Sequence, residues 1–204
     1  RTIRDIKKHT DWVTAIEYSP DGILLATGDR SGGLILWEAE SGQEFQVLQG
    51  HQGAITDIGW RGDGNVLASA SEDGTIRLWN SADGKQVKQW RAHDGGTLAI
   101  DYAHDGNIAS CGRDKRLKTW DGTGKQLRTI EGFPDIALSV AISHDGKRAV
   151  AGDWSGGVAV FDTGTGQRLG ALFADPPTLA ETIEKATAAI VASARKIAEA
   201  EQRI

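Results

Sequence analysis

Apolar and polar residues alternate along most of this chain, and short glycine-bearing turns break the alternation at nearly even intervals. The stretch from residue 50 to residue 92 shows the pattern most fully. Ala54-Ile55-Thr56-Asp57-Ile58-Gly59-Trp60 alternates, which marks a half-buried strand. Gly62-Asp63-Gly64 then turns the chain, because Asp-Gly readily supplies the positive φ of a tight hairpin. Val66-Leu67-Ala68-Ser69-Ala70 is a second, more continuous apolar strand, and Glu72-Asp73-Gly74 turns again. Thr75–Trp79 alternates, Ala82-Asp83-Gly84 turns, and Lys85–Trp90 ends the unit, so the pattern predicts a four-stranded antiparallel meander.

The same unit recurs along the chain. His9, His51, His93 and Phe133 are separated by 42, 42 and 40 residues, and Trp37, Trp79, Trp120 and Phe161 by 42, 41 and 41. Asp-Gly pairs at 21–22, 63–64, 105–106 and 145–146 keep the same register. A period of roughly 40–45 residues built of short strands marks one supersecondary unit copied in a row, each copy burying its neighbour's open face. The expected fold is all-β, with four four-stranded antiparallel blades packed radially over residues 1–174. The boundaries read as 9–50, 51–92, 93–132 and 133–174, with 1–8 as the last strand of a preceding blade.

Gly50-His51, Ser19-Pro20-Asp21-Gly22, Leu67-Ala68-Ser69-Ala70-Ser71-Glu72-Asp73-Gly74 and Trp120-Asp121 together resemble the signature of the WD-repeat β-propellers. The resemblance implies a ring of which these blades are part, seven- or eight-bladed when complete. The ring could be completed by a longer polypeptide or by a second copy, or four blades could close alone. In that family a His, a Ser or Thr, an Asp and a Trp form a buried hydrogen-bonded network in each blade. The resemblance places it at His51, Ser69, Asp73 and Trp79, and at His93, Ser110, Asp114 and Trp120. The first copy has His9, Thr27 and Trp37, but Ser31 stands where Asp is expected. In the fourth, Phe133, Ala151, Ser155 and Phe161 replace the network. A buried polar network stabilises when fully satisfied and is costly when half satisfied, so wholesale apolar replacement is tolerable.

After residue 174 the composition changes. Asp175-Pro176-Pro177 breaks the strand pattern, and Thr178-Leu179-Ala180-Glu181 reads as a capping box opening a helix. Ile183, Ile190, Ile197 and Ile204 recur every seven residues, which predicts either a coiled-coil seam over 175–204 or an amphipathic helix lying on the propeller.

The net charge of −5 gives no electrostatic reason to expect nucleic acid, and no apolar run is long enough to span a membrane. The single cysteine, Cys111, has no partner for an internal disulfide and falls on a predicted inner strand, where a buried, inert thiol is expected. All five histidines fit the repeat: three occupy the network position, and His104 and His144 replace Pro20 in an exposed turn. None has metal-ligand spacing to a Cys or carboxylate partner, so no metal and no cofactor are expected. Gly122-Thr123-Gly124-Lys125 lacks the first glycine of a phosphate loop and joins two strands rather than opening a helix. No Ser or Cys has a free histidine to activate it, so no catalytic residue is assigned.

What remains is surface. The WD-repeat resemblance implies that the narrow top end docks partners, through the segment after each His and the turn before each network Asp. Those positions carry Trp12, Ala54, Gly96 and Ile136, and Arg30, Glu72, Arg113 and Trp154. Trp and Arg are enriched in interface hot spots, so Trp12, Arg30, Glu72, Arg113 and Trp154 are the candidate partner-binding residues. Gly28-Asp29-Arg30-Ser31-Gly32-Gly33, Ser110-Cys111-Gly112-Arg113-Asp114, Gly152-Asp153-Trp154-Ser155-Gly156 and Pro176–Glu181 are also similar to bacterial, planctomycete-type WD-repeat proteins, in which a c-type cytochrome domain commonly shares the chain. The expected function is a non-catalytic protein-interaction scaffold. Alternatives are the docking module of an extracytoplasmic electron-transfer protein and an enzyme acting in the central channel. Expected partners are proteins, with self-association completing the ring or running through the C-terminal helix.

Overall fold

The computed structural model describes residues 7–172, together with Ile183, Glu184 and Thr187. Sixteen strands form four antiparallel sheets of four, each a meander in chain order. Blade one is β1 (Val13–Tyr18), β2 (Leu24–Asp29), β3 (Leu34–Glu38) and β4 (Glu44–Leu48). Blade two is β5 (Ile55–Trp60), β6 (Val66–Ser71), β7 (Thr75–Asn80) and β8 (Gln86–Arg91). Blade three is β9 (Thr97–Tyr102), β10 (Ile108–Gly112), β11 (Leu117–Trp120) and β12 (Gln126–Ile130). Blade four is β13 (Ala137–Ile142), β14 (Arg148–Asp153), β15 (Val158–Asp162) and β16 (Arg168–Leu172). The four Asp-Gly turns hold Gly22, Gly64, Gly106 and Gly146 at φ of 72°, 71°, 85° and 69°, the left-handed region that favours glycine.

The core lies between sheets, as the repeat requires. At the first seam Ala26, Leu34, Leu36 and Leu48 of blade one close on Ile55, Ile58, Trp60 and Trp79 of blade two. The second seam joins Ala68, Ile76 and Leu78 to Ile100, Ile108 and Trp120, and the third joins Ala109, Leu117 and Ile130 to Phe133, Val140 and Phe161. The inner strands touch in sequence, β1 with β5, β5 with β9, and β9 with β13. Two aspartates tie the later seams. Asp57 Oδ2 accepts the Ile100 N–H at 2.9 Å, and Asp101 Oδ2 accepts the Ile142 N–H at 2.7 Å. Both satisfy donors on the channel edge of the next sheet, where no further strand pairs.

Tyr18, one repeat before Trp60 and two before Tyr102, is exposed while Trp60 is buried, because among the described residues no blade covers that side of blade one. Of the expected first segment, residues 1–6 lie outside the described residues. In the C-terminal unit, which begins at Phe173, Ile183, Glu184 and Thr187 have helical backbone, and Thr187 Oγ1 donates to the Ile183 carbonyl one turn back. Ile190, Ile197 and Ile204 lie outside the described residues.

Candidate functional site

Three blades carry a complete relay at the top of the sheet. In blade two, Trp79 Nε1 donates to Ser69 Oγ at 2.9 Å, and Ser69 Oγ lies 2.8 Å from His51 Nε2. His51 Nδ1 lies 2.8 Å from Asp73 Oδ2. The serine oxygen accepts the indole N–H and gives its own proton to Nε2, so Nδ1 carries the imidazole proton and donates it to the carboxylate. Blade three repeats this with Trp120, Ser110, His93 and Asp114 at 2.8, 2.8 and 2.7 Å. Burial drives the His51 and His93 pKa values down despite their carboxylate partners. Burial opposes the Asp73 charge, but hydrogen bonds from Thr75, the Gln52 N–H and His51 outweigh it and hold the carboxyl at about 2.

Blade one corrects the expectation. Its relay is complete, with Trp37 Nε1 on Thr27 Oγ1 at 2.7 Å and His9 Nε2 on Thr27 Oγ1 at 2.6 Å. The carboxylate on His9 Nδ1 is Asp29 Oδ2 at 2.6 Å, not a residue at position 31. Asp29 Oδ1 accepts the Ser31 N–H, the Ser31 hydroxyl and the Gly33 N–H at 2.8–2.9 Å. Ser and Asp have exchanged places relative to Ser71 and Asp73, and the turn brings either position to the histidine. Blade four has the same exchanged turn, with Asp153 accepting the Ser155 and Gly157 N–H groups. There Phe133 stands in place of the histidine and packs on Phe161 at 5.4 Å between ring centres. The order Ser–His–Asp is that of a nucleophile relay, but Ser69 and Ser110 are 0% exposed and each holds an indole N–H. In these positions it fixes the loops of the top end.

Those loops present the predicted surface residues. In each blade a backbone bond joins the segment after the His to the turn before the carboxylate. The bonds are Arg30 N to Trp12 O, Glu72 N to Ala54 O, Arg113 N to Gly96 O, and Trp154 N to Ile136 O. Trp12 is 74% exposed and Trp154 is 70% exposed. The Arg30 guanidinium stands 5.5 Å from the Trp12 ring centre, a cation–π contact. Arg113 reaches across the second seam to Glu72 Oε1 at 2.8 Å. Lys115 has φ of 61°, where the other blades have Gly32, Gly74 and Gly156, and its Nζ donates to the Pro134 carbonyl.

One element of the site was missed in the sequence. The register slips between Val13 and Ala15, Ile55 and Asp57, Thr97 and Ala99, and Ala137 and Ser139, so each inner strand bulges at its second residue. A bulge re-aims its side chain. The four bulged residues, Thr14, Thr56, Leu98 and Leu138, line a depression of about 410 Å³ together with Arg30, Ala54, Ile55 and Glu72. Alternation alone does not reveal bulges. Elsewhere, Cys111 is buried and its thiol is pushed up to about 12 by that burial. His104 and His144 are exposed turn residues whose rings stack at 4.4 Å. Among the described residues no cluster of three metal-ligating side chains occurs, and no helix is long and apolar enough to cross a membrane.

Comparison with known proteins agrees with this architecture. The chain is 36% identical over 69 residues to the WD repeat, SAM and U-box domain-containing protein 1 of Gallus gallus, a match covering 30% of this chain and 14% of that protein. Two solved structures, of U3-55K and of the RRP9 WD40 repeats, superpose with a TM-score of 0.78 at 18% identity. They cover 83% of this chain, which spans 54% and 53% of theirs, and at that identity they show the fold alone. The WD40 family (WD domain, G-beta repeat) matches residues 1–38, 42–80, 84–121 and 124–162, each of the last three taking in an outer strand and three strands of the next sheet. With four matches spread over most of its length, and the buried Trp–Ser/Thr–His–Asp relay in three blades, the chain belongs to the WD40 repeat family.

Proposed function

We propose that the chain is a non-catalytic scaffold whose top end docks a protein partner at the loops of Trp12, Arg30 and Trp154. The observation that carries this reading is the exposure of two indoles on loops pinned by backbone bonds, at places where blades two and three have Ala54 and Gly96, or Glu72 and Arg113. Exposed tryptophans on backbone-pinned loops leave little backbone freedom to be lost on binding. Arg30 packs on an indole face and has no carboxylate partner among the described residues, whereas Arg113 holds Glu72. The fitting ligand is a peptide segment with an apolar side chain for the bulge-lined depression and a carboxylate for Arg30. Membership of the WD40 family supports a protein-binding role in general; the partner chemistry rests on these residues.

A random peptide library displayed on phage and panned on the immobilised chain tests the reading. Bound clones should carry an acidic residue beside an apolar one. They should lose at least about tenfold in affinity to the Trp12→Ala or Arg30→Glu chain, the loss of a hot-spot contact. Clones that bind all three chains equally would place docking elsewhere. The proteins that the chain resembles give the electron-transfer alternative no support.

A further inference from the structure

At the end of the sheets opposite the relay, blade one departs from the repeat again. Its turn at 19–24, with Glu38, Glu40 and Phe45, frames a depression of about 510 Å³ against the turns of blade two at 63–65 and 81–82. Both walls belong to fully described blades, and the depression lies between them. Ile23 is 63% exposed there, where the other blades have Asn65, Asn107 and Lys147. Asn65 has a blade on either side and is exposed too, so exposure belongs to the place and only the apolar side chain is peculiar to blade one. Phe45 is 38% exposed and is the largest residue at its position, which holds Val87, Leu127 and Leu169 in the other blades. Glu40 stands where blades two and four have Ala82 and Gly164. The fold asks for none of the three.

Charge decides what fits. Asp21, Glu38, Glu40 and Asp63 line the depression, and among the described residues no lysine or arginine does. Arg61 neutralises Asp63, with Nη2 2.8 Å from Oδ2, while the other three carboxylates have no basic partner among the described residues. The Ser19 hydroxyl and the Ile23 N–H, both bonded to Asp21 Oδ1, hold that carboxyl below its usual range, so it is charged at neutral pH. We propose that this depression docks a peptide segment in which an arginine or lysine adjoins an aromatic or large aliphatic residue, the basic group among Asp21, Glu38 and Glu40 and the apolar one on Ile23 and Phe45. An acidic segment would meet uncompensated like charge, and an uncharged apolar one would cover the carboxylates without pairing them. A basic side chain does neither, because its alkyl stem lies on apolar surface while its head stays among the carboxylates. The site is at the opposite end from Trp12 and Arg30 and takes the opposite charge, so it does not rest on docking there.

The probe is acetyl-Phe-Arg amide, titrated at millimolar concentration into the isotope-labelled full chain and followed by backbone amide shifts in nuclear magnetic resonance. The amides of Ile23, Phe45 and Asn65 should shift and saturate, while those of Trp12 and Arg30 stay in place. Acetyl-Phe-Glu amide and acetyl-Ser-Arg amide should each bind at least about fivefold more weakly, since one loses the charge pairing and the other the apolar contact. The double variant Ile23→Asn, Glu40→Ala carries the residues that blade two has at these places, Asn65 and Ala82, so it should keep its circular dichroism and urea unfolding. It should bind the probe at least about tenfold more weakly, and Trp12→Ala should bind it unchanged. No saturable binding of the probe would overturn the proposal. So would equal binding of the acidic dipeptide, shifts gathered at the top-end loops, or an unchanged affinity in the folded double variant. The dipeptide comparison needs no variant, so it decides even if the double variant unfolds.

Discussion

His9, His51 and His93 are each held at both ring nitrogens, yet the carboxylates that hold them come from two different places in the repeat. Asp29→Ala and Asp73→Ala should therefore cost alike, about 3 kcal/mol each, since both leave a largely buried imidazole N–H without its acceptor. Asp153→Ala should cost about 1 kcal/mol, because it frees turn N–H groups that water can reach and no histidine. Urea unfolding of the three variants checks this, and a cheap Asp29→Ala would sink the reading of blade one. The His, Ser/Thr and Trp members were legible because they keep the period. Asp29 was not, since it arrives two residues early. The signal was nevertheless present: Gly-Asp-x-Ser-Gly-Gly occurs at 28–33 and again at 152–157, so position 29 is a recurring variant of the turn. Lys115 shows the cost of departing from the repeat. In the left-handed region a side chain is strained by roughly 1–2 kcal/mol, offset in part by the greater freedom of an unfolded glycine. Lys115→Gly should stabilise the chain by about 0.5–1 kcal/mol in the same assay, provided the bond to the Pro134 carbonyl adds little.

At the scale of the element, the seams respond to pH in two opposite senses. Asp57 sits on an inner strand with Asp101 and Glu17 nearby, and burial, with their charges adding, raises its pKa to about 6. A carboxyl that is raised on folding binds its proton more tightly in the folded chain, so its contribution to stability grows as pH falls through about 6 towards 3.8. His51 and His93 act the other way: their folded pKa values lie below 6.5, so the unfolded chain takes up the protons and stability falls below that pH. Comparing wild type with Asp57→Asn cancels the histidines. Between pH 7 and pH 5 the wild type should gain about 1 kcal/mol on the variant. At pH 7 the variant should also lose one of the two N–H bonds that Asp57 accepts, from Ile58 and Ile100, because an amide has only one accepting oxygen. A difference that stays flat with pH would show that Asp57 titrates normally. The strands themselves were readable from alternation and turns. These ties across the seam were not, because a polar residue at an alternating position reads as solvent-facing whether it faces water or the N–H of a neighbouring sheet.

For the whole molecule, the repeat made the order of blades and the top-end loops legible, since period and register survive in the chain. It also predicted which sides should be apolar. The state of the two ends was beyond it, because the same residues are core or surface according to what lies beside them. A row in which each unit stabilises only its neighbours is weakest at its ends. Blade four is weakened by Phe133 and Ala151 standing where the other blades have the relay to a serine or threonine. Hydrogen exchange on the chain should therefore protect β6 and β10 most and β14 least. Opening energies that differ by about 1.4 kcal/mol separate exchange rates tenfold, and the gap between β6 and β14 should be at least that large. Equal protection of all four blades would mean that the row unfolds as one body.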